Sequence, residues 1–404
     1  MDGAGKRPLP KGWRWVRLGE VATIHPGQHI LEADYNSKGV GVGYLTGPMD
    51  FGAAYPSVSK WTERPKAWCQ CGDILLTVKG AGVGKANMAP DDRVAIGRQL
   101  MAIRPSEEHA DKWLLLHYLR FRFSEFQKAA LGATVPGLGR RDVETLSVPL
   151  PDILEQRRLA TVLNEQMASV AQARVAAEAR LAAAKALAAA HLREVFDGAE
   201  ARRWRIQPLG EVGNVVSGVT LGRKLNGAST RPISYLRVAN VKDGHLDLAD
   251  VKEIEATESE IDKWRLQRGD LLLTEGGDPD KLGRGTYWQE EIPECIHQNH
   301  IFRVRFDKAE LLPEFISAQL GSPYGKRYFL AHAKQTTGIA TINQRVLKAF
   351  PLRVPELPEQ RRIVATLDQH LSGAERLRQA AEVELAAIDA LPAALLRRAF
   401  SGEL

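Results

Sequence analysis

The sequence predicts an α+β fold with a pseudo-two-fold internal repeat: two mixed α/β domains separated by two long, antiparallel, coiled-coil-like helices. Three observations predict it. Short strings recur at offsets near 200. Two segments carry apolar residues at helical spacing, and the larger segments alternate strand-like and helix-like patterns. With 404 residues, 44% hydrophobic and 26% charged, the chain has material for two or three cores, which excludes disorder as its main state.

The repeat fixes the boundaries. Glu155-Gln156-Arg157-Arg158-Leu159 returns as Glu359-Gln360-Arg361-Arg362-Ile363, an offset of 204. Leu192-Arg193, Phe196 and Gly198 return at the same offset as Leu396-Arg397, Phe400 and Gly402. Leu18-Gly19-Glu20-Val21 matches Leu209-Gly210-Glu211-Val212 at 191, and Gly72-Asp73-Ile74-Leu75-Leu76-Thr77 matches Gly269-Asp270-Leu271-Leu272-Leu273-Thr274 at 197. The drifting offset means insertions in the large segments; the constant one means helical segments of equal length. The plan is a domain over residues 1–150, a helix over 151–200, a second domain over 201–354 and a second helix over 355–404.

In the first domain, residues 16–24 and 72–79 read as strands and 112–130 as a helix. Pro149-Leu150-Pro151 then leads into the first long helix, as prolines at a helix start allow. Its apolar seam is Leu159, Leu163, Gln166, Val170, Ala173, Ala177, Leu181 and Ala184, and residues 168–190 are mostly Ala, the strongest helix former. In the second domain, residues 269–274 and 300–306 read as strands and 313–332 as a helix. Pro355-Glu356-Leu357-Pro358 opens the second long helix. Its seam is Ile363, Leu367, His370, Ala374, Leu377, Ala381, Leu385, Ile388 and Leu391. Pro392 is expected to kink or restart the last turns, and Gly198 and Gly402 to cap the two C-termini. About 40 residues at 1.5 Å each gives a rod of ~60 Å. Each helix could pack on its own domain alone, but equal lengths beside unequal domains favour pairing, antiparallel under a pseudo-two-fold.

Several classes fall away. Cys69, Cys71 and Cys295 are too few and too badly spaced for a disulfide framework or a four-ligand zinc site. Residues 1–15 hold no apolar stretch of the secretory kind, and no run of ~18 apolar residues occurs. The expectation is a soluble, cytoplasmic protein with no membrane partner. The formal charge is +6, with 20 basic against 15 acidic residues over 1–150 and 23 against 19 over 201–354. The helical segments are slightly acidic, at 6 against 7 and 6 against 8. A polyanion would be drawn to the two large segments.

On these residues the chain resembles the specificity subunit of type I restriction–modification systems. The likeness rests on Leu18-Gly19-Glu20-Val21, residues 72–77, Val148-Pro149-Leu150-Pro151 with Glu155-Gln156-Arg157-Arg158, and the second set ending Leu395-Leu396-Arg397-Arg398-Ala399-Phe400-Ser401-Gly402-Glu403-Leu404. The plan covers the whole chain; the domain interiors match loosely. The resemblance implies two target-recognition domains, each reading one half of a split site in double-stranded DNA. It implies paired helices that fix the gap and help dock two modification subunits. Those partners would bind S-adenosylmethionine and methylate adenine, leaving this chain without a cofactor or a catalytic residue. Whether restriction/translocase subunits join is left open.

Candidate contacts follow from base chemistry: Arg or Lys suits guanine, Asn or Gln suits adenine. Arg98-Gln99 precedes the strand ending at Arg104, and Gln298-Asn299-His300 precedes the strand ending at Arg305. Residues 134–141, with Arg140 and Arg141, align with the stretch ending Asn343-Gln344-Arg345. Gly80-Ala81-Gly82-Val83-Gly84-Lys85 imitates a phosphate-binding loop, but Lys79 and Ala86 stand where that motif needs Gly and Ser or Thr. The preferred reading is a Gly-rich basic loop whose Lys79, Lys85 and amides approach DNA phosphates. Lys281 and Arg284 take the equivalent place in the second domain. Asp278-Pro279-Asp280-Lys281 lacks a third acidic group for a nuclease. Outward positions Arg157, Arg158, Arg361 and Arg362 are candidates for the partner surface. Three alternatives stay open on the residues: a stand-alone bipartite DNA-binding regulator, a nucleotide-using enzyme, and a coiled-coil adaptor without DNA.

Overall fold

The structure is a computed structural model that describes residues 9–52, 54–90, 92–131, 137–225, 227–277, 282–306, 310–336 and 339–404. The chain forms two compact units, Met1–Glu178 with Glu384–Leu404, and Ala179–Val383.

In unit 1, Arg14–Arg17 pairs antiparallel with Ser147–Leu150, closing the domain beside the helix start. A four-stranded antiparallel sheet runs Ala22–Pro26, Leu100–Pro105, Ile74–Thr77, Ala86–Met88 in spatial order. A second sheet orders Trp61–Thr62, Val42–Leu45, Val94–Ile96, Trp68–Cys69, with the middle pair parallel. Helix Lys112–Phe121 covers the first sheet; Leu114, Leu115, Leu116 and Leu119 join Ile74, Leu76 and Ile103 in the core. The strand expected over 16–24 is broken. Leu18–Val21 forms one helical turn, which buries Leu18 and Val21 on one face while the Leu18 N–H donates to the Leu146 carbonyl.

Unit 2 repeats this order. Arg205–Pro208 pairs with Pro351–Val354. The four-stranded sheet runs Gly213–Ser217, Ile301–Phe306, Leu271–Thr274, Gly285–Tyr287. A three-stranded sheet orders Lys252–Ala256, Arg231–Leu236, Cys295–His297, again with one parallel pair. The helix expected over 313–332 is two helices, Pro313–Gly321 and Pro323–His332. Ser322 separates them, its hydroxyl capping Gly325 N–H with Pro323 at the first helical position. Its counterpart over 112–130 breaks likewise, at Arg122.

An ion pair with a buried carboxylate and a part-exposed arginine recurs in both units. Asp73 accepts Arg104 Nε at 2.8 Å and Nη2 at 2.9 Å, and Gln70 N–H at 3.0 Å. Asp270 accepts Arg305 Nε and Nη2, each at 2.7 Å, and Gln267 N–H at 2.7 Å. The Gly-Asp string is thus a turn whose carboxylate pins the neighbouring strand.

The long helices are Ile153–Asp197 and Leu357–Ser401, 45 residues each. Their starts are clamped by one buried amide. Gln156 accepts Asp111 N–H at 2.9 Å and donates to the carbonyls of His109 and Pro151. Gln360 accepts Leu312 N–H at 2.9 Å and donates to those of Glu310 and Pro355. Within unit 1, Leu159 and Leu163 near the start of the first helix share a core with Leu396, Ala399 and Phe400 at the end of the second. Within unit 2, Phe196 at the end of the first joins Ile363 and Leu367 at the start of the second. In unit 1 Arg174 meets Asp389 at 2.9 Å; in unit 2 Lys185 meets Glu382 at 4.0 Å and the His191 and His370 rings lie 4.4 Å apart, tilted by 34°. Partner numbers fall as these numbers rise, so in each unit the helices run antiparallel.

The seam differs at two positions. Leu377 and Leu391 are exposed, while Leu371 and Leu395 pack against the cores. The second helix continues through Pro392 without a restart. Gly402 takes the left-handed φ of +80° expected of a C-terminal cap. Gly198 does not, and instead lets the Glu194 carbonyl approach where a Cβ would stand.

Candidate nucleic-acid interface

In each unit three segments converge beside the four-stranded sheet. In unit 1 the Val78 N–H donates to Gln99 O and the Val78 carbonyl accepts Leu138 N–H, both at 2.8 Å. In unit 2 the Glu275 N–H donates to His300 O at 2.9 Å and the Glu275 carbonyl accepts Ile342 N–H at 2.8 Å. One hairpin, one turn before a strand and one stretch before a short helix are therefore tied together twice. The described candidate residues for DNA contact sit on these three segments or in the first turns of the short helices Arg140–Glu144 and Gln344–Lys348.

The unit 1 hairpin spans Thr77 to Ala86. Thr77 N–H donates to Lys85 O, Gly84 N–H to Thr77 O, Val83 N–H to Gly80 O and Lys85 N–H to Gly82 O. Those amides close the turn, so the expected approach of amides to phosphate does not hold for residues 83–85. Gly84 has φ +88°, and a Cβ there would meet Phe126 at 2.7 Å. Lys79 and Lys85 point to solvent, and neither is held in an ion pair among the described residues. Arg98 is exposed and has no ion pair among the described residues. Gln99 is exposed at its surface, yet its amide lies over Gly47 and leaves no room for a Cβ there. Arg140 is bound to Glu144 at 2.6 Å, one turn along its helix, whereas Arg141 is exposed without an ion pair among the described residues.

Unit 2 uses its candidates differently. Lys281 lies outside the described residues, as do residues 278–280 and residues 134–136. Arg284 turns inward, with Nη2 3.4 Å from Val238 O and its Nε buried without a partner. Asn343 caps the helix Gln344–Lys348, accepting Val346 N–H at 3.0 Å. Gln344 donates to Ser217 Oγ at 2.8 Å. These three side chains each have a partner within unit 2. Gln298 and Asn299 are half-buried, with backbone N–H groups donating to Leu236 O and Val219 O. Arg345 is exposed.

At the helix starts, Arg158 makes a two-point pair with Glu155 at 2.7 Å and donates to Leu404 O at 2.8 Å. Arg362 pairs with Glu359 at 2.8 and 2.6 Å. Arg157 and Arg361 are the exposed members without an ion pair among the described residues.

Burial governs the titrating groups nearby. Burial, then the charge of Arg303, lowers the His297 imidazole to about 4. Burial pushes the Cys69 and Cys295 thiols up to about 12, which makes them inert core residues. Among the described residues no group of three or more His, Cys, Asp or Glu could hold a metal ion, and no helix is long and apolar enough to cross a membrane.

Sequence reasoning missed the Asp–Arg pairs and the Gln clamps. The strings that contain them were visible as repeats; their distant partners, 31 to 50 residues away, left no local signal.

Residues 10–170 and 202–385 each match the family described as "Type I restriction modification DNA specificity domain". The chain is 26% identical over 291 residues to the type I restriction enzyme EcoKI specificity subunit of Escherichia coli (strain K12), covering 70% of this chain and 62% of that protein. It thus spans less than two thirds of that relative's length. Its fold is similar to a chain from a structural study of complex assembly and conformational transition in the type I R-M system, with TM-score 0.77 and 22% identity over 99% of this chain and 100% of that one. It is similar, too, to the HsdS subunit from Thermoanaerobacter tengcongensis, with TM-score 0.65 and 22% identity over 99% of each chain. The chain, with two matched segments around a duplicated architecture, belongs to the type I restriction modification DNA specificity family.

Proposed function

We propose that this chain is the DNA sequence-specificity subunit of a type I restriction–modification complex. Each globular domain reads one half of a bipartite site in double-stranded DNA. The long helices set the gap and dock two modification subunits, with Arg157 and Arg361 as equivalent points of contact. Those partners supply S-adenosylmethionine and the adenine methylation; this chain directs their chemistry and performs none.

The observation that carries the reading is the duplicated convergence at Val78 and Glu275. It presents two sets of three segments, in one chain, with different side chains on the same frame. Two unlike readers would recognise a site that need not be palindromic. In the first, Lys79, Lys85, Arg98 and Arg141 supply unpaired positive charge for phosphates, and Arg98 can reach guanine as a two-point donor. In the second, Gln298, Asn299 and Arg345 are the candidates for base contact, with Lys281, outside the described residues, proposed beside them from the sequence.

The test is a map of methylated adenines in cells with the gene intact and deleted. The expected result is loss of one gapped, two-part motif on deletion, and a change of one half alone when residues 1–150 are exchanged. Identical maps, with the modification subunits expressed and active, would sink the reading in favour of a stand-alone DNA-binding regulator.

A further inference from the structure

Met49 is 93% exposed, the most exposed large apolar side chain among the described residues. A lone exposed apolar residue says little by itself. What sets Met49 apart is how firmly its position is built. It sits in the middle of a single 3-10 turn, Pro48–Asp50. The Asp50 carboxylate accepts Thr46 N–H at 2.7 Å, Thr46 Oγ1 at 3.0 Å and Gly47 N–H at 3.3 Å, locking the turn from below. Asp50 O also accepts Ser57 N–H at 2.7 Å. The Pro48 ring lies against Gly82 of the basic hairpin, and the Gln99 amide lies over Gly47. The turn is therefore braced against the two segments that carry Lys79, Lys85, Arg98 and Gln99. A groove of about 430 Å³ opens beside it, lined by Pro48, Phe51, Lys85, Arg120 and Phe123 among others.

The second unit repeats the device with a different tip. Val238–Asn240 is the matching 3-10 turn, and Asn240 Oδ1 accepts Arg237 N–H at 2.9 Å as Asp50 does for Thr46 and Gly47. Arg284 and Val238 O tie that turn to its own hairpin. The middle residue there is Ala239, which has no reach.

We infer that Met49 is an apolar wedge that enters the DNA base stack in the half-site read by the first domain. This rests on the DNA-recognition reading above. Three features point to a gap between base pairs. A thioether chain with almost no protein around it is desolvated only by something that closes on it from several sides. The flat edge of a base covers one side; two adjacent base pairs cover most of it. The flanking unpaired cations supply attraction to the phosphates on either side of such a step. The rigid turn keeps the side chain from folding back onto the protein, so opening the stack is driven by burial of the wedge. Met is flexible along its own length and accommodates the slot it opens.

The experiment uses the complex assembled with its modification subunits and a duplex carrying its methylated motif. 2-Aminopurine is placed in turn at positions of the half-site assigned to residues 1–150. The expected result is a rise in fluorescence at one step with the natural protein. With Met49→Ala that rise is lost, and affinity for the specific duplex falls about ten- to a hundredfold, as for losing one buried Met side chain. Met49→Leu keeps both. Because the side chain touches almost nothing in the protein, Met49→Ala leaves folding intact, and a thermal melt checks it. Met49→Ala with natural fluorescence overturns the wedge, whether affinity falls or not. A natural complex that binds no bipartite duplex overturns the DNA-recognition reading first, which separates the two failures.

Discussion

Asp270 receives both Nε and Nη2 of Arg305 at 2.7 Å, with its carboxylate 1% exposed and the arginine reaching the surface over about a third of its side chain. Asp73 and Arg104 make the same two-point pair in the first unit. The pair joins the turn before one central strand to the far end of the neighbouring strand, so it sets the register of the sheet from which the candidate loops emerge.

Removing either carboxylate should leave a guanidinium and a backbone N–H without their acceptor. Asp73→Ala and Asp270→Ala are each expected to destabilise their own unit by about 2–3 kcal/mol, discounted because the arginine is part-exposed. Urea unfolding of the variants measures this. A loss under about 0.5 kcal/mol would show that the pairs are surface contacts in effect.

The Gln clamps predict symmetrical damage. Gln156→Ala and Gln360→Ala each remove three hydrogen bonds at a buried position, 2% and 0% exposed. Each should cost about 2–4 kcal/mol. Hydrogen exchange should speed up in the first turns of that variant's long helix and in the start of helix Lys112–Phe121 or Pro313–Gly321. Unchanged exchange at those amides would count against the clamp.

His297 gives a pH dependence with a defined sign. Its folded value, about 4, lies below the ordinary ~6.5 of an unfolded histidine. The group is buried neutral, so its contribution is fully present above about pH 6.5 and is lost as pH falls toward 4. The loss is about 3 kcal/mol at most. Burial lowers His117 in unit 1 in the same direction, so both units weaken. His297→Leu should flatten the fall of unfolding free energy between pH 6.5 and 4.5. An unchanged slope would mean that His297 reaches water in the native state.

Phosphate and base contacts separate by salt. Lys79→Ala and Lys85→Ala should weaken binding of all sequences alike and reduce the slope of log affinity against log salt by about 1 each. Arg98→Ala should instead relax discrimination at one base pair of the first half-site, by about 1–3 kcal/mol. Titration of the assembled complex against matched and mismatched duplexes at several salt concentrations distinguishes the two behaviours. If Lys79→Ala proved sequence-selective, the roles would have to be exchanged.

The duplicated plan was legible because Glu155-Gln156-Arg157-Arg158 and its copy are contiguous strings with a fixed offset. What those strings do was not. Gln156 faces inward, Glu155 and Arg158 neutralise each other, and Arg157 alone stays free, a division that depends on which side of the helix the domain covers. Leu18-Gly19-Glu20-Val21 reads as a strand because its apolar ends suit either period; tertiary contact with Leu146 decides for a helical turn. Asn343 and Gln344 have the chemistry of adenine readers, but Asn also caps helices, and a helix begins there. Met49 gave no sequence signal at all, since one apolar residue in a turn has no period.

The first unit is assembled from two stretches far apart in sequence, and the second from one unbroken stretch. Leu396, Ala399 and Phe400 complete a core that Leu159 and Leu163 began. During synthesis the residues of the first domain leave the ribosome earliest, yet they wait for the last turns of the second helix before their apolar surface is covered. Ala179–Val383 has all its own core partners sooner. The order of manufacture and the order of completion are therefore reversed, and the half-made first domain is the stage at which this protein is most exposed to chaperones and proteases.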